Sequence, residues 1–455
     1  DSQGGAVGGT LLFDRGYLGL STSEYRSTYG TVAESLVHID MLRRHHVMEG
    51  LLRDVGQFQD VKFQLGQTRY THTEFNADNP ETKFDNRGYD LRLEGRQQPV
   101  RLGHDGRLEG IVGLTREQNT LQAIGDEKFI GPGRSQTTSL FTYQAFKTSW
   151  GQVSAGARTE SVTVALREDH GSYVAQSKRF KPFSLSMGVM RNLREGEASN
   201  GWQFTSNLSS SQRAPKDYEL FAEGHHVATN AYEVGNPALG LEKGTQLDFG
   251  GEWKQGAHQF ALTGFVSQFS NYLSLQSIGT LDPAHHLPMY AFEGVRARLV
   301  GLESSATLRL VGGSQALWSA DASRGAMDLA LRADVVRADD QTHQRPLPRI
   351  APMRWGADGV WAAQAWGARL GFTHAASQNR VPMPGDITTA SYTVWNAGVN
   401  YQTRSAGTRW LWFAKLDNLT NRLAYASTSV LTQTMGNQAP PLAGRSLKLG
   451  AQVSF

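Results

Sequence analysis

Thirteen histidines and no cysteine set the terms of any metal chemistry in this 455-residue sequence. Neutral imidazole is the commonest protein metal ligand, and Zn²⁺ takes histidine nitrogen together with carboxylate oxygen in a tetrahedral shell. Two histidine pairs have acids close by: His225 and His226 lie near Glu219, Glu223 and Glu233, and His285 and His286 follow Asp282. If the two segments meet, His225, His226, Glu223, His285, His286 and Asp282 form a candidate capture set for a metal. Adjacent residues on an extended segment point to opposite sides, so one member of each pair would reach a common ion. A second cluster, Arg43-Arg44-His45-His46, reads either as an anion or lipid contact or as part of a strand wall. No Ser-His-Asp or paired-carboxylate constellation is identifiable, so no catalytic residue and no resident cofactor are expected.

The elements that must carry these residues are legible in a two-residue period. In the run from Met327 to Val335 the large apolar side chains Met327, Leu329, Leu331 and Val335 share one parity, and Asp328, Arg332 and Asp334 share the other. A helix would scatter those charges around its circumference, whereas a strand places them on one face. Tyr89, Leu91 and Leu93 against Asp90, Arg92 and Glu94 repeat the division, as do Leu447, Leu449 and Val453 against Lys448 and Gln452. About nineteen such runs are predicted, from 5–13 and 17–24 to 408–417 and 446–455. Tight connections fall at Asp14-Arg15-Gly16, Ser149-Trp150, Lys254-Gln255-Gly256 and Ala363-Gln364. Long ones fall at 73–86, 119–134, 167–180, 212–243, 269–293, 338–351, 377–390 and 418–445, and 310–325 breaks the alternation.

No run of about 18 apolar residues is present, so no membrane helix is expected. The formal charge of +3 is spread along the chain, which argues against a nucleic-acid face. An all-β fold with an apolar parity and a charged parity suits a large antiparallel transmembrane β-barrel, because a charge facing lipid at the midplane costs about 2–4 kcal/mol. Trp150, Trp202, Trp253, Trp361, Trp366 and Trp410 lie in or near short connections, where an aromatic girdle is expected. Even strand numbers and a periplasmic start imply an odd number of strands ahead of Asp1, about three for a barrel of about 22.

The stretch Gln212-Arg213-Ala214-Pro215-Lys216-Asp217-Tyr218-Glu219-Leu220-Phe221, followed by Tyr232 to Pro237 and Leu241-Glu242-Lys243, resembles the barrel signature of TonB-dependent outer-membrane receptors. So does the ending from Asp417-Asn418-Leu419-Thr420-Asn421 through Gly444-Arg445-Ser446 to Phe455. His226-Val227-Ala228-Thr229 and Gly301-Leu302-Glu303 are similar to the zinc-uptake, ZnuD-like receptors. The resemblance spans residues 1–455 as a single barrel domain. It implies a bacterial outer-membrane location, a lipid-embedded monomer, and uptake of a metal ion or metal chelate such as zinc or a siderophore. It also implies coupling to the TonB complex through an N-terminal plug that this stretch does not include. A passive porin-like channel or adhesin, and an outer-membrane barrel enzyme, are the competing readings.

Overall fold

The computed structural model describes residues 1–455 apart from 126–127, 194–199, 314–315, 319–324, 406 and 455, and apart from the side chain at 405. Among the described residues, 24 strands belong to one sheet. Five of them are two to five residues long, which leaves nineteen of nine residues or more, each on one of the expected runs. The expected tight connections are present at Asp14, Ser149, Gly256 and Gln364. Half of the 310–325 connection, 314–315 and 319–324, lies outside the described residues.

The chain divides into two compact units, Asp1–Val189 with Asn207–Gln246 and Gln268–Ala297, and Met190–Ser206 with Leu247–Ser267 and Arg298–Phe455. In the first, Ser2–Phe13, Gly16–Gly30, Val37–Val55, Phe58–Asn76, Asn79–Gln97, Gly106–Gly125, Gly133–Thr148 and Gly151–Leu166 pair in succession, all antiparallel. In the second, Ala326–Asp340, Arg354–Ala363, Trp366–Ala375, Tyr392–Ser405, Thr408–Asp417 and Ser446–Ser454 do the same.

Parity decides which side chains meet which surroundings. In the last strand Leu447 and Leu449 are 62% and 73% exposed, while Lys448 on the opposite face bonds Asp417 at 2.8 Å. The charges of the Met327–Val335 run likewise find partners on the polar face: Arg309 meets Asp328, Arg332 meets Asp358, and Arg354 reaches Asp334 at 3.0 Å. Exposed apolar side chains on one face and paired charges on the other are what a strand between hydrocarbon and water requires.

Glycine serves close approach in this sheet. A Cβ on Gly450 would come within 2.3 Å of the ring of Phe413, its cross-strand partner, and Gly50 stands in the same relation to Phe63 at 2.4 Å. The bare position is filled by the neighbouring ring.

Several connections are shorter than their sequence suggests. Phe58–Asn76 and Asn79–Gln97 continue pairing up to Asn76↔Asn79, so 73–86 is mostly strand, closed by a turn with Ala77 in the left-handed region. Similarly, His258–Leu281 and Pro288–Val311 leave only 282–287 as loop within 269–293. The 212–243 stretch is not a free loop either. It tucks the helix Asp217–Phe221 against the polar face, where Leu220, Phe221, Leu239 and Ala214 form a core with Val162, Val164, Leu166, Leu273, Leu275 and Phe292. The apolar residues at 162, 164 and 166 have the inward parity, and burying them is favourable at about 25 cal/mol per Å².

Candidate functional site

The inward fold of 212–243 is fixed by Arg213. Its guanidinium forks onto Glu219 at 2.8 and 3.0 Å and onto Glu242 at 3.2 and 3.1 Å. Glu219 also accepts the main-chain N–H of Lys216 at 2.7 Å, and Glu242 accepts that of Leu273 at 3.0 Å. These are charge-assisted, bidentate contacts. They give Arg213-Ala214-Pro215 the structural role that its proline suggests. Glu223 N–H to the Phe129 carbonyl, and Tyr173 hydroxyl to the Gly235 carbonyl, stitch the segment to its neighbours.

Beyond the helix a small hairpin, Glu223–His226 with Ala231–Val234, turns at Asn230, whose backbone is left-handed. Its second strand lies parallel to the start of Pro288–Val311, so that His225, Tyr232 and Met289 stand side by side. This places the hairpin beside the 282–287 loop and brings both predicted histidine pairs to one region.

Each predicted residue has a defined position there. His226 donates from Nδ1 to Oε1 of buried Glu233 at 2.9 Å, and its ring stacks on Phe129 with centroids 4.0 Å apart. Thr229 adds a hydroxyl to the same carboxylate oxygen at 2.8 Å. Glu223 turns elsewhere and accepts the main-chain N–H and the hydroxyl of Ser172, both at 2.7 Å. His285 donates from Nδ1 to Oδ2 of Asp282 at 2.8 Å, and its own N–H reaches the same oxygen at 2.7 Å. His286 is exposed, with a left-handed backbone, and its N–H bonds the Asp282 carbonyl at 2.9 Å. His225 is half-buried on the opposite side of its strand from His226.

Electrostatics separate two of these groups from their ordinary behaviour. Burial, then the nearby His285 and His226, push His225 below the usual imidazole value. Burial pushes the Asp282 carboxyl up, but the N–H and ring of His285 outweigh it and hold it below the usual carboxylate range. An ionised Asp282 can only accept, which fixes the proton of neutral His285 on Nδ1 and leaves the Nε2 lone pair for another partner.

The structure therefore brings together His226 with Glu233 and His285 with Asp282, but Glu223 joins neither pair. Among the described residues, no three of the six predicted ones offer ligand atoms within 4.8 Å of one another. Phe129 and Ser172, from connections far away in sequence, were not legible as partners. The Asp282-to-His285 spacing was a local signal, and it recurs at Asp340 and His343, joined through Nδ1 at 2.7 Å.

The family described as TonB dependent receptor-like, beta-barrel, matches residues 5–419. The chain belongs to the TonB-dependent receptor β-barrel family. It is accordingly a receptor-type barrel and not an enzyme, from a family of outer-membrane proteins. Among solved structures it is similar to "Copper transporter OprC", at a TM-score of 0.77 and 15% identity, over 99% of this chain and 71% of that one. It is also similar to the FrpB iron transporter of Neisseria meningitidis (0.70, 12%, 99% and 71%) and to the siderophore receptor PirA of Pseudomonas aeruginosa (0.66, 12%, 100% and 71%). At such identities the likeness is one of fold.

Proposed function

We propose that residues 1–455 form the outer-membrane barrel of a TonB-coupled receptor that takes up a metal ion or metal chelate, with zinc and ferric siderophore-like compounds as the leading cargoes. The observation that carries this reading is the pair of carboxylate-backed imidazoles, His226 on Glu233 and His285 on Asp282, in adjoining segments. A carboxylate behind a histidine fixes its tautomer and raises its basicity, the arrangement found behind metal-ligating histidines. Transport of copper and iron, and binding of siderophores, by proteins of the same fold agree with that choice. His225 adds a half-buried imidazole held neutral, the protonation state a metal needs.

The test is calorimetric titration of the refolded receptor with Zn²⁺ and with a ferric chelate, before and after replacing His225, His226, His285 and His286 by alanine. Loss of binding is expected. Unchanged affinity for both would remove the loop site. Coupling to TonB is tested separately by reading the coding sequence ahead of Asp1 for a plug and its contact segment.

A further inference from the structure

The Arg43-Arg44-His45-His46 cluster is split by its strand. Val37–Val55 sends Arg43 and His45 to the polar face and Arg44 and His46 to the apolar one, in register with outward Leu20 and Leu65 two residues away. On that outward face one cross-strand row runs Glu24, Arg44, Arg69, Arg87, Thr120, Arg134. Arg44, Arg69 and Arg87 are thus immediate neighbours on three adjacent strands, about 4.8 Å apart at the backbone. Like charges placed directly opposite are destabilising. Their side chains are 46%, 52% and 57% exposed.

Carboxylates offset only part of this charge. Glu24 holds Arg26 and Arg44 at 2.8 and 2.7 Å, and Asp85 holds Arg69 and Arg87 at 3.2 and 3.3 Å. Five arginines, Arg26, Arg44, Arg69, Arg87 and Arg134, therefore face two acids. The row beyond balances Asp40 with Lys83.

The rows on the other side of the arginines change character in order. Next comes a hydrogen-bonding row, Thr22, His46, Gln67, Tyr89 and Gln118, then Leu20, Met48, Leu65 and Leu91 ending on Arg116, then Leu11, Leu18, Phe63, Leu93, Leu114 and Leu140. A groove of about 940 Å³, lined by Leu20, His46, Leu65, Gln67, Tyr89 and Arg116, lies on this face below the arginines. By contrast, the outward rows of Arg354–Ala363 through Ser446–Ser454 carry no arginine among the described residues.

We infer that this face is a binding site for an acylated lipid with a phosphorylated head group, its chains on the leucine rows and groove and its phosphates on Arg44, Arg69 and Arg87. The site is continuous with the lipid-facing belt, and its excess positive charge complements phosphate, which arginine binds through its planar fork. The inference rests on the outer-membrane reading above.

The test reconstitutes the full chain in phosphatidylcholine nanodiscs doped with bisphosphorylated lipid A or with the same lipid after removal of its phosphates. Retained lipid is counted by native mass spectrometry after stepwise delipidation. The phosphorylated form should be retained at least about tenfold better, with the preference shrinking as salt screens it. The triple variant Arg44→Gln, Arg69→Gln, Arg87→Gln, checked for folding by heat-modified gel mobility, should weaken retention on the order of 100-fold. Equal retention of both lipids by the unmodified protein overturns the inference without any variant, as does a folded triple variant that holds the phosphorylated lipid within about twofold. Failure to insert into either bilayer overturns the membrane reading, and this inference with it.

Discussion

Asp282 grips His285 twice, once through the imidazole Nδ1 at 2.8 Å and once through the main-chain N–H at 2.7 Å, both on the same carboxylate oxygen. One acid thus closes the loop and aims the ring, so the shape of the loop and the chemistry of its histidine are set together. Asp340 does the same for His343 with both its oxygens.

Replacing Asp282 by asparagine should separate these two tasks. The amide can still accept from the His285 N–H, so loop protection in hydrogen exchange is expected to fall by only about 1 kcal/mol. The imidazole loses its anionic partner, and Zn²⁺ affinity in titration should drop by about 10–100-fold. A wild-type affinity in that variant would show that Asp282 does nothing for the ring.

Glu233 is the buried acceptor for both His226 and Thr229. Glu233→Ala should strand the His226 imidazole N–H, while the Thr229 hydroxyl keeps its bond to the His226 carbonyl at 3.1 Å, and destabilise the hairpin by about 1–3 kcal/mol. Hydrogen exchange across 223–234 reads that change directly, and the 282–287 loop provides the internal comparison.

His225 gives the hairpin a pH dependence of predictable sign. Its folded pKa lies below the ordinary 6.5, so the unfolded segment takes up a proton more readily than the folded one. The contribution is fully present above the ordinary value and is lost as pH falls through it toward the depressed one. The protection factor across 223–234, corrected for the intrinsic exchange rate at each pH, should therefore fall between about pH 7.5 and pH 5.5, and His225→Gln should flatten that response. Equal slopes in the two proteins would count against the assignment.

Leu449→Arg probes the apolar face. Leu449 is 73% exposed and opposite Ala414, and a cation there should destabilise the folded barrel in a bilayer by about 2–4 kcal/mol if it lies near the midplane. Lys448→Gln, one residue away on the polar face, loses only the exposed contact to Asp417 and should change stability by about 1 kcal/mol or less. Urea-dependent folding into lipid vesicles measures both, and similar values for the two would contradict the assignment of faces.

The strands were legible wherever their two faces meet different surroundings. Met327 to Val335 advertises itself because leucine and arginine alternate there. The same strands fall silent where both faces are polar. Glu74, Lys83 and Asp85 read as loop, yet they continue the pairing of Phe58–Asn76 with Asn79–Gln97, because alternation needs an apolar side to be visible. The 212–243 stretch misled for another reason: its inward packing depends on Val162 and Phe292, which no local pattern in that stretch announces. At the site, Asp282 and His285 are three residues apart and could be paired by eye, whereas the stacking of His226 on Phe129 joins connections that only the folded chain brings together.

The lengths of three neighbouring strands bear on where cargo is first met. Val37–Val55, Phe58–Asn76 and Asn79–Gln97 have 19 residues each, about twice the 9–11 that a tilted strand spends crossing hydrocarbon. On the proposed outer-membrane reading the surplus would stand clear of the bilayer as a paired palisade, with the arginine row near its base. A diffusing solute would then encounter a stiff rampart well above the lipid plane, and access would be governed by the height and spacing of that wall before any gate below it came into play.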